Sequence, residues 1–183
     1  MLEKNSMLYV TTSWDDGHIL DRKLAALLDK YNVKGTFYIS KDYVSERLSG
    51  EEIVGLSRRH EIGAHTIHHP NLTKISEDEA RKEIVESKQW LEEIIGQEVK
   101  MFCYPAGHYN KRVEEIVKEC GFVGARTTQG GVLGFPADPY EMGTSLQVYP
   151  FPLRKIDKNH YYWGRLLEPL VERYSVLMSM NIS

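Results

Sequence analysis

Hydrophobic positions along this chain switch repeatedly between two rhythms. A short apolar run over residues 8–13 gives way to residues 20–31, where Leu24, Leu27, Leu28 and Tyr31 recur at helical spacing, and then to a second short run over 35–39. Short apolar runs predict strands and helical recurrence predicts an amphipathic helix, so the chain opens β-α-β. Ser49 and Glu52 have the spacing of a capping box, in which each side chain satisfies the other residue's backbone N–H; it predicts a short helix to about Arg59, with a strand over 61–64 behind it. A second capping box at Ser76 and Glu79 opens a long helix that carries Ile84, Leu91, Ile94 and Ile95 and is closed by Gly96. Residues 100–104 predict the next strand. Val113, Ile116, Val117 and Cys120 mark a helix stopped by Gly121, and residues 122–125 predict the strand after it.

The rhythm then stops. Gly130, Gly131, Gly134, Pro136, Pro139 and Gly143 make residues 126–144 a long loop, and long loops in compact domains are often functional. Residues 174–180 predict one more apolar strand, while Tyr149, Phe151, Tyr161, Tyr162 and Trp163 read as core aromatics, with sugar stacking the alternative. Alternating βα units imply a largely parallel α/β sheet, either open and doubly wound or closed toward a barrel. The polar residues favour the barrel. Asp15 and Asp16 follow the first predicted strand, His65 and His69 the third, Pro105 to His108 the fourth and Arg126 the fifth, which gathers them on the C-terminal rim.

Length and charge narrow the function. A chain of 183 residues without a composition shift predicts a single domain over 1–183. Charged residues are 27% of the chain and balance to a net −3, with the two signs interspersed, which argues against a nucleic-acid or membrane-seeking face. No basic segment leads into an apolar run and no apolar span is long enough for a membrane, so the expected location is cytoplasmic. Cys103 and Cys120 are too few and too far apart for a cysteine metal cluster and are expected as reduced thiols.

The chemistry concentrates in two segments, Ser13-Trp14-Asp15-Asp16-Gly17-His18 and His65-Thr66-Ile67-His68-His69-Pro70. Asp-Asp-Gly alone is ordinary turn chemistry. Two histidines four apart change the reading, because on a helical turn they point the same way, and imidazoles beside a carboxylate form a mixed N/O set that suits zinc and similar ions. His68, between them, is expected to be structural or solvent-facing, and Trp14 a packing residue.

In this order and placement the motifs resemble those of the polysaccharide deacetylase family (carbohydrate esterase family 4, the NodB homology domain), whose first motif is usually Thr-Phe-Asp-Asp-Gly and second His-Ser/Thr-x-x-His. The resemblance implies a distorted, incomplete (β/α) barrel of about seven parallel strands. It implies that Asp16, His65 and His69 hold one divalent ion, zinc foremost with cobalt an alternative, and that Asp15 is the general base toward water activated by that ion. Cys103-Tyr104-Pro105-Ala106 is similar to the third motif, usually Arg-x-Pro-Tyr, and implies a backbone N–H at Ala106 as an oxyanion donor, with Tyr104, Pro105 and His108 as substrate contacts. Tyr109 and Asn110 continue this rim or begin the next helix, with Asn110 as its N-cap.

Two departures qualify the match. Cys103 stands where the family has the arginine that braces the base; Arg126 is the candidate substitute, its alternative being a solvated loop residue. The family's late Leu-x-His motif, source of its general acid, has no counterpart after His160: either the final βα unit is absent from the chain, or another residue substitutes, or the acid role is unfilled, and weak turnover is expected. An unclosed barrel leaves strand edges that a second copy can cover, so self-association is expected. The implied partner is an N-acetylated glycan and the implied activity removal of its N-acetyl groups. The rival readings are a hydrolase of a small non-carbohydrate amide and a catalytically idle carbohydrate-binding relative.

Overall fold

The computed structural model describes residues 10–132, 134 and 136–146, and within them strands and helices alternate as the hydrophobic rhythm predicts. The elements are β1 (Thr12–Trp14), α1 (Asp21–Lys30), β2 (Gly35–Ile39), α2 (Gly50–Ser57), β3 (Glu61–Ala64), α3 (Glu77–Ile95), β4 (Met101–Cys103), α4 (Lys111–Glu119) and β5 (Gly124–Arg126). Both capping boxes form, at Ser49 with Glu52 and at Ser76 with Glu79, and Gly96 ends α3 in the left-handed conformation. Asn110 is the N-cap of α4, its side chain accepting from the Val113 N–H at 2.9 Å. That bond assigns Asn110 to the helix rather than to the rim.

Among the described residues all strand pairs are parallel and the spatial order is β1-β2-β3-β4-β5. A doubly wound sheet reverses its strand order at a switch point, whereas winding each strand beside its predecessor is how a (β/α) barrel is built. The described residues therefore form a five-stranded parallel half-barrel, an incomplete (β/α) barrel. The strand predicted over 174–180 and the aromatic group from Tyr149 to Trp163 lie outside them. No helix among the described residues is long and apolar enough to cross a membrane.

Phe37 and Ile39 of β2, Ile62 and Ala64 of β3 and Phe102 of β4 pack under Ile53, Ile84, Leu91, Val113 and Val117 from the helices to form one buried core. One predicted boundary and one predicted helix face differ in the structure. Residues 122 and 123 close α4 instead of starting a strand: Gly121 turns at φ +77°, and the Phe122 N–H donates back to Val117, so β5 begins only at Gly124. In α1, Leu24 and Leu28 reach the core, but Leu27 and Tyr31 are 52% and 67% exposed.

The predicted long loop is structured on its near side. Ala125 donates to Pro139, Met142 donates to Ala125, and Thr127 donates to Met142, so the chain folds back along the open edge of β5. This return segment covers backbone groups that a sheet edge would otherwise expose.

Candidate metal centre

Each polar motif leaves its strand at the C-terminal end, and left-handed backbone turns the side chains inward. Of the five non-glycine residues with positive φ among the described residues, four, Asp16, Thr66, His69 and Ala106, lie on this rim. Such conformations cost on the order of 1–3 kcal/mol each and persist where surrounding contacts over-determine them. After β1, Asp16 at φ 80° is followed by Gly17 at φ 74°, where a Cβ would come within 2.6 Å of the Ile39 side chain. Glycine is required there both by the turn and by the close approach of β2.

Residues 65–69 correct one sequence expectation. They are not a helical turn: Thr66 and His69 are both left-handed, and the two imidazoles converge through this double reversal. Their ring centroids lie 4.7 Å apart at 72°. The Thr66 hydroxyl accepts from the His69 N–H at 3.0 Å, holding the reversal closed.

The Asp16 Oδ1 is 3.6 Å from His65 Nε2 and 3.8 Å from His69 Nε2. Donors at zinc-ligand lengths in tetrahedral array stand about 3.4 Å apart, so these three atoms fit one divalent ion with little movement. The His65 tautomer agrees. Its Nδ1 lies 2.8 Å from the Cys103 carbonyl, which can only accept, so Nδ1 carries the proton and Nε2 faces Asp16. Asp15, His65 and Cys103 also bring donor atoms together. That grouping suits a cation poorly, because the Arg126 guanidinium already occupies it.

Arg126 is not a solvated loop residue. Only 8% exposed, it directs Nη2 at both Asp15 carboxylate oxygens, approaches Cys103 Sγ at 3.2 Å and lies over the Tyr38 ring at 5.3 Å. Arg126 of β5 thus stands in space beside both Cys103 and Asp15. Asp15 is turned toward this cation and Asp16 toward the histidines, which separates the two adjacent carboxylates.

Charge within the centre is tightly coupled. Burial would raise the Asp16 carboxyl, but its hydrogen bond to His65 and the positive charges of His65, His69 and Arg126 outweigh it, and its pKa lies below the ordinary carboxylate value. For His65, burial opposes the charged form, yet Cys103, Asp16 and Asp15 hold its pKa well above the ordinary imidazole value; His69 is lowered by burial and by repulsion from His65. Asp21, at the start of α1, was not singled out by any motif. It is buried, and burial followed by repulsion from Asp16 and Asp15 pushes its pKa up to about 7.

The fourth-strand motif is divided between core and rim. Tyr104 and Pro105 are buried, Tyr104 at 0% exposure between Phe102 and Tyr109, which corrects the expectation of a substrate contact from their side chains. Bulky aromatic surface is more stable in the core than on a polar rim. Ala106 and His108 are exposed on the rim, with Ala106 at φ 51° and Gly107 at φ 72°, where a Cβ would meet the Thr128 side chain at 2.0 Å. Two neighbours were missed in sequence: Tyr43, 49% exposed and stacked on His69 at 4.0 Å, and Glu83 of α3, bonded to the histidine loop. A tyrosine or a glutamate at such positions carries no local signal.

A parallel half-barrel with a carboxylate and two imidazoles converging on its C-terminal rim defines the class of α/β proteins built around a rim-borne, metal-fitting centre. Residues 3–125 match the model of the family described as polysaccharide deacetylase, and the chain belongs to that family. It is similar to a peptidoglycan-N-acetylglucosamine deacetylase of Bacillus cereus, 32% identical over 105 residues that cover 54% of this chain and 36% of the relative. Its fold matches the crystal structure of BC0361, a polysaccharide deacetylase from Bacillus cereus, with a TM-score of 0.63 and 27% identity over 72% of this chain and 45% of that one. It also matches a mutant of BA3943, a pseudoenzyme of carbohydrate esterase family 4 from Bacillus anthracis, described as having restored enzymatic activity, with a TM-score of 0.57 and 25% identity over 67% of this chain and 46% of that one. The chain spans between 34% and 48% of the length of the curated relatives it matches.

Proposed function

We propose that this chain is a metal-dependent deacetylase that hydrolyses the N-acetyl group of an amino-sugar unit within a glycan. The observation that carries the reading is the division of the two aspartates: Asp16 converges with His65 and His69, while the adjacent Asp15 is paired with Arg126. Zinc suits the mixed N/O donor set, and cobalt is the natural substitute. When bound, such an ion polarises the amide carbonyl and makes water more acidic.

The protein's own groups supply the proton acceptor and the oxyanion donor. Asp15 takes the proton from the attacking water, and Arg126, bonded to both of its oxygens, holds its carboxylate in place. The Ala106 N–H is the oxyanion donor, a role that needs backbone geometry and no particular side chain. The buried floor of His65, Cys103 and Arg126 limits water around Asp15, which strengthens each charge interaction there. His108 and the exposed part of Tyr43 offer the rim surface for a sugar ring. The amino-sugar substrate is further supported by the deacetylase relatives, whose named substrate is peptidoglycan N-acetylglucosamine or N-acetylmuramic acid.

The test is acetate release from N-acetylglucosamine oligomers by metal-stripped protein before and after zinc or cobalt is added. Acetate formed only after reloading supports the reading. Hydrolysis of a ureide in place of the oligomer would move the activity to small amides, and oligomer binding without acetate would make the chain an idle relative like the pseudoenzyme. In the same assay Arg126→Ala is expected to lower kcat by about tenfold or more, because the base loses the cation that aims it. An unchanged kcat would remove Arg126 from the mechanism.

A further inference from the structure

We propose that Glu83, on the buried side of α3, is a positioning residue for the metal centre: its single carboxylate sets the path of the histidine loop and thereby the convergence of His65 and His69. This inference rests on the reading of Asp16, His65 and His69 as the ligand set.

The geometry is specific. Glu83 Oε2 accepts from the backbone N–H of Ile67 at 2.9 Å and of His68 at 3.0 Å, and Oε1 lies 2.6 Å from His68 Nδ1. The carboxylate side chain is 16% exposed, while the His68 ring is 63% exposed. Two consecutive amide donors are therefore directed at one oxygen, and His68 closes over the other as an outer partner. The same loop is held from the opposite side by the Ile67 carbonyl, which accepts from the Asp42 N–H at 2.8 Å and the Ser40 hydroxyl at 3.1 Å.

These contacts explain how a loop with two left-handed non-glycine residues keeps its shape. The Thr66 to Ile67 step would relax toward ordinary backbone if the Ile67 and His68 amides could find partners elsewhere, since unpaired amides at a protein surface readily turn to water. Glu83 removes that freedom, because an ionised acceptor forms stronger hydrogen bonds than a neutral one. Whereas the Cys103 carbonyl holds the His65 ring directly, Glu83 acts through the backbone of the loop that carries both imidazoles. His68 thereby acquires a role of its own. It completes the Glu83 cradle and has no part in the donor set.

The experiment is a zinc titration of metal-stripped wild type, Glu83→Ala, Glu83→Gln and His68→Ala, read by competition with a chromogenic chelator, alongside amide hydrogen exchange and thermal midpoints. Loss of an orienting partner typically weakens metal binding by about 10 to 100-fold, and that loss is expected for Glu83→Ala. Glu83→Gln, which keeps a neutral acceptor, should restore part of the affinity, and His68→Ala, which leaves both amide bonds intact, should lose less than Glu83→Ala. Exchange at Ile67 and His68 should accelerate in Glu83→Ala without a matching rise in the strands. A Glu83→Ala protein that binds zinc like wild type while its thermal midpoint falls would overturn the proposal and leave Glu83 as a helix-to-loop tie. If Glu83→Ala does not fold, Glu83→Gln decides: weakened zinc binding supports the role and unchanged binding overturns it. Wild type that takes up no zinc would instead overturn the ligand assignment itself, a result distinguishable from the others because it precedes any variant.

Discussion

His65→Ala and His69→Ala are each expected to leave the protein without stoichiometric metal. A three-donor centre that loses one imidazole keeps a carboxylate and a single nitrogen, too few to hold a divalent ion against water and dilute chelator. Elemental analysis after dialysis checks this directly, and unchanged stoichiometry in both variants would show that the ligands lie elsewhere. The wild-type centre should also release metal as pH falls. His65 has its pKa raised well above the ordinary imidazole value when no metal is present, so protons compete for its Nε2 over a wide range, and uptake must displace one. The sign is fixed: affinity rises with pH until His65 is neutral, and falls as acid restores the imidazolium. Fold stability need not follow the same course, because Asp16, with a lowered pKa, stabilises the metal-free centre above its unfolded pKa and loses that contribution only as pH falls through its folded value.

Asp15→Asn is expected to keep the metal and lose turnover. The substitution preserves size, and the group it alters is paired with Arg126, while Asp16 is the carboxylate directed at both histidines. What disappears is the proton acceptor, and general base catalysis is typically worth about 10² to 10⁴-fold, so kcat should fall by that order. The measurements are metal content and acetate release on the same preparation. Loss of metal would make Asp15 a ligand and collapse the separation of roles between the two aspartates. A variant that retained both metal and rate would place the base at another residue.

What was legible in the sequence was local. Periodicity showed the βα alternation, Ser-x-x-Glu spacing marked both capped helices, and strand ends placed Asp15, Asp16, His65 and His69 on one rim, because each of these signals is written within a few neighbouring residues. Even the exchange of the third-motif arginine for Cys103 could be read, and Arg126 named beside the alternative of solvent exposure. Strand neighbours were a matter of topology. Periodicity alone allowed either an open sheet or a barrel until the sequential order β1 to β5 was seen.

Tertiary structure alone decided the rest, since side chains distant in the chain have no shared pattern until the strands bring them together. It put Arg126 on Asp15 across 111 positions, Glu83 under the histidine loop and Tyr43 against His69. It also took Tyr104 into the core and replaced the expected helical turn at residues 65–69 with two left-handed reversals. In both cases spacing specified which residues approach one another, while packing and backbone hydrogen bonds determined the directions in which they face.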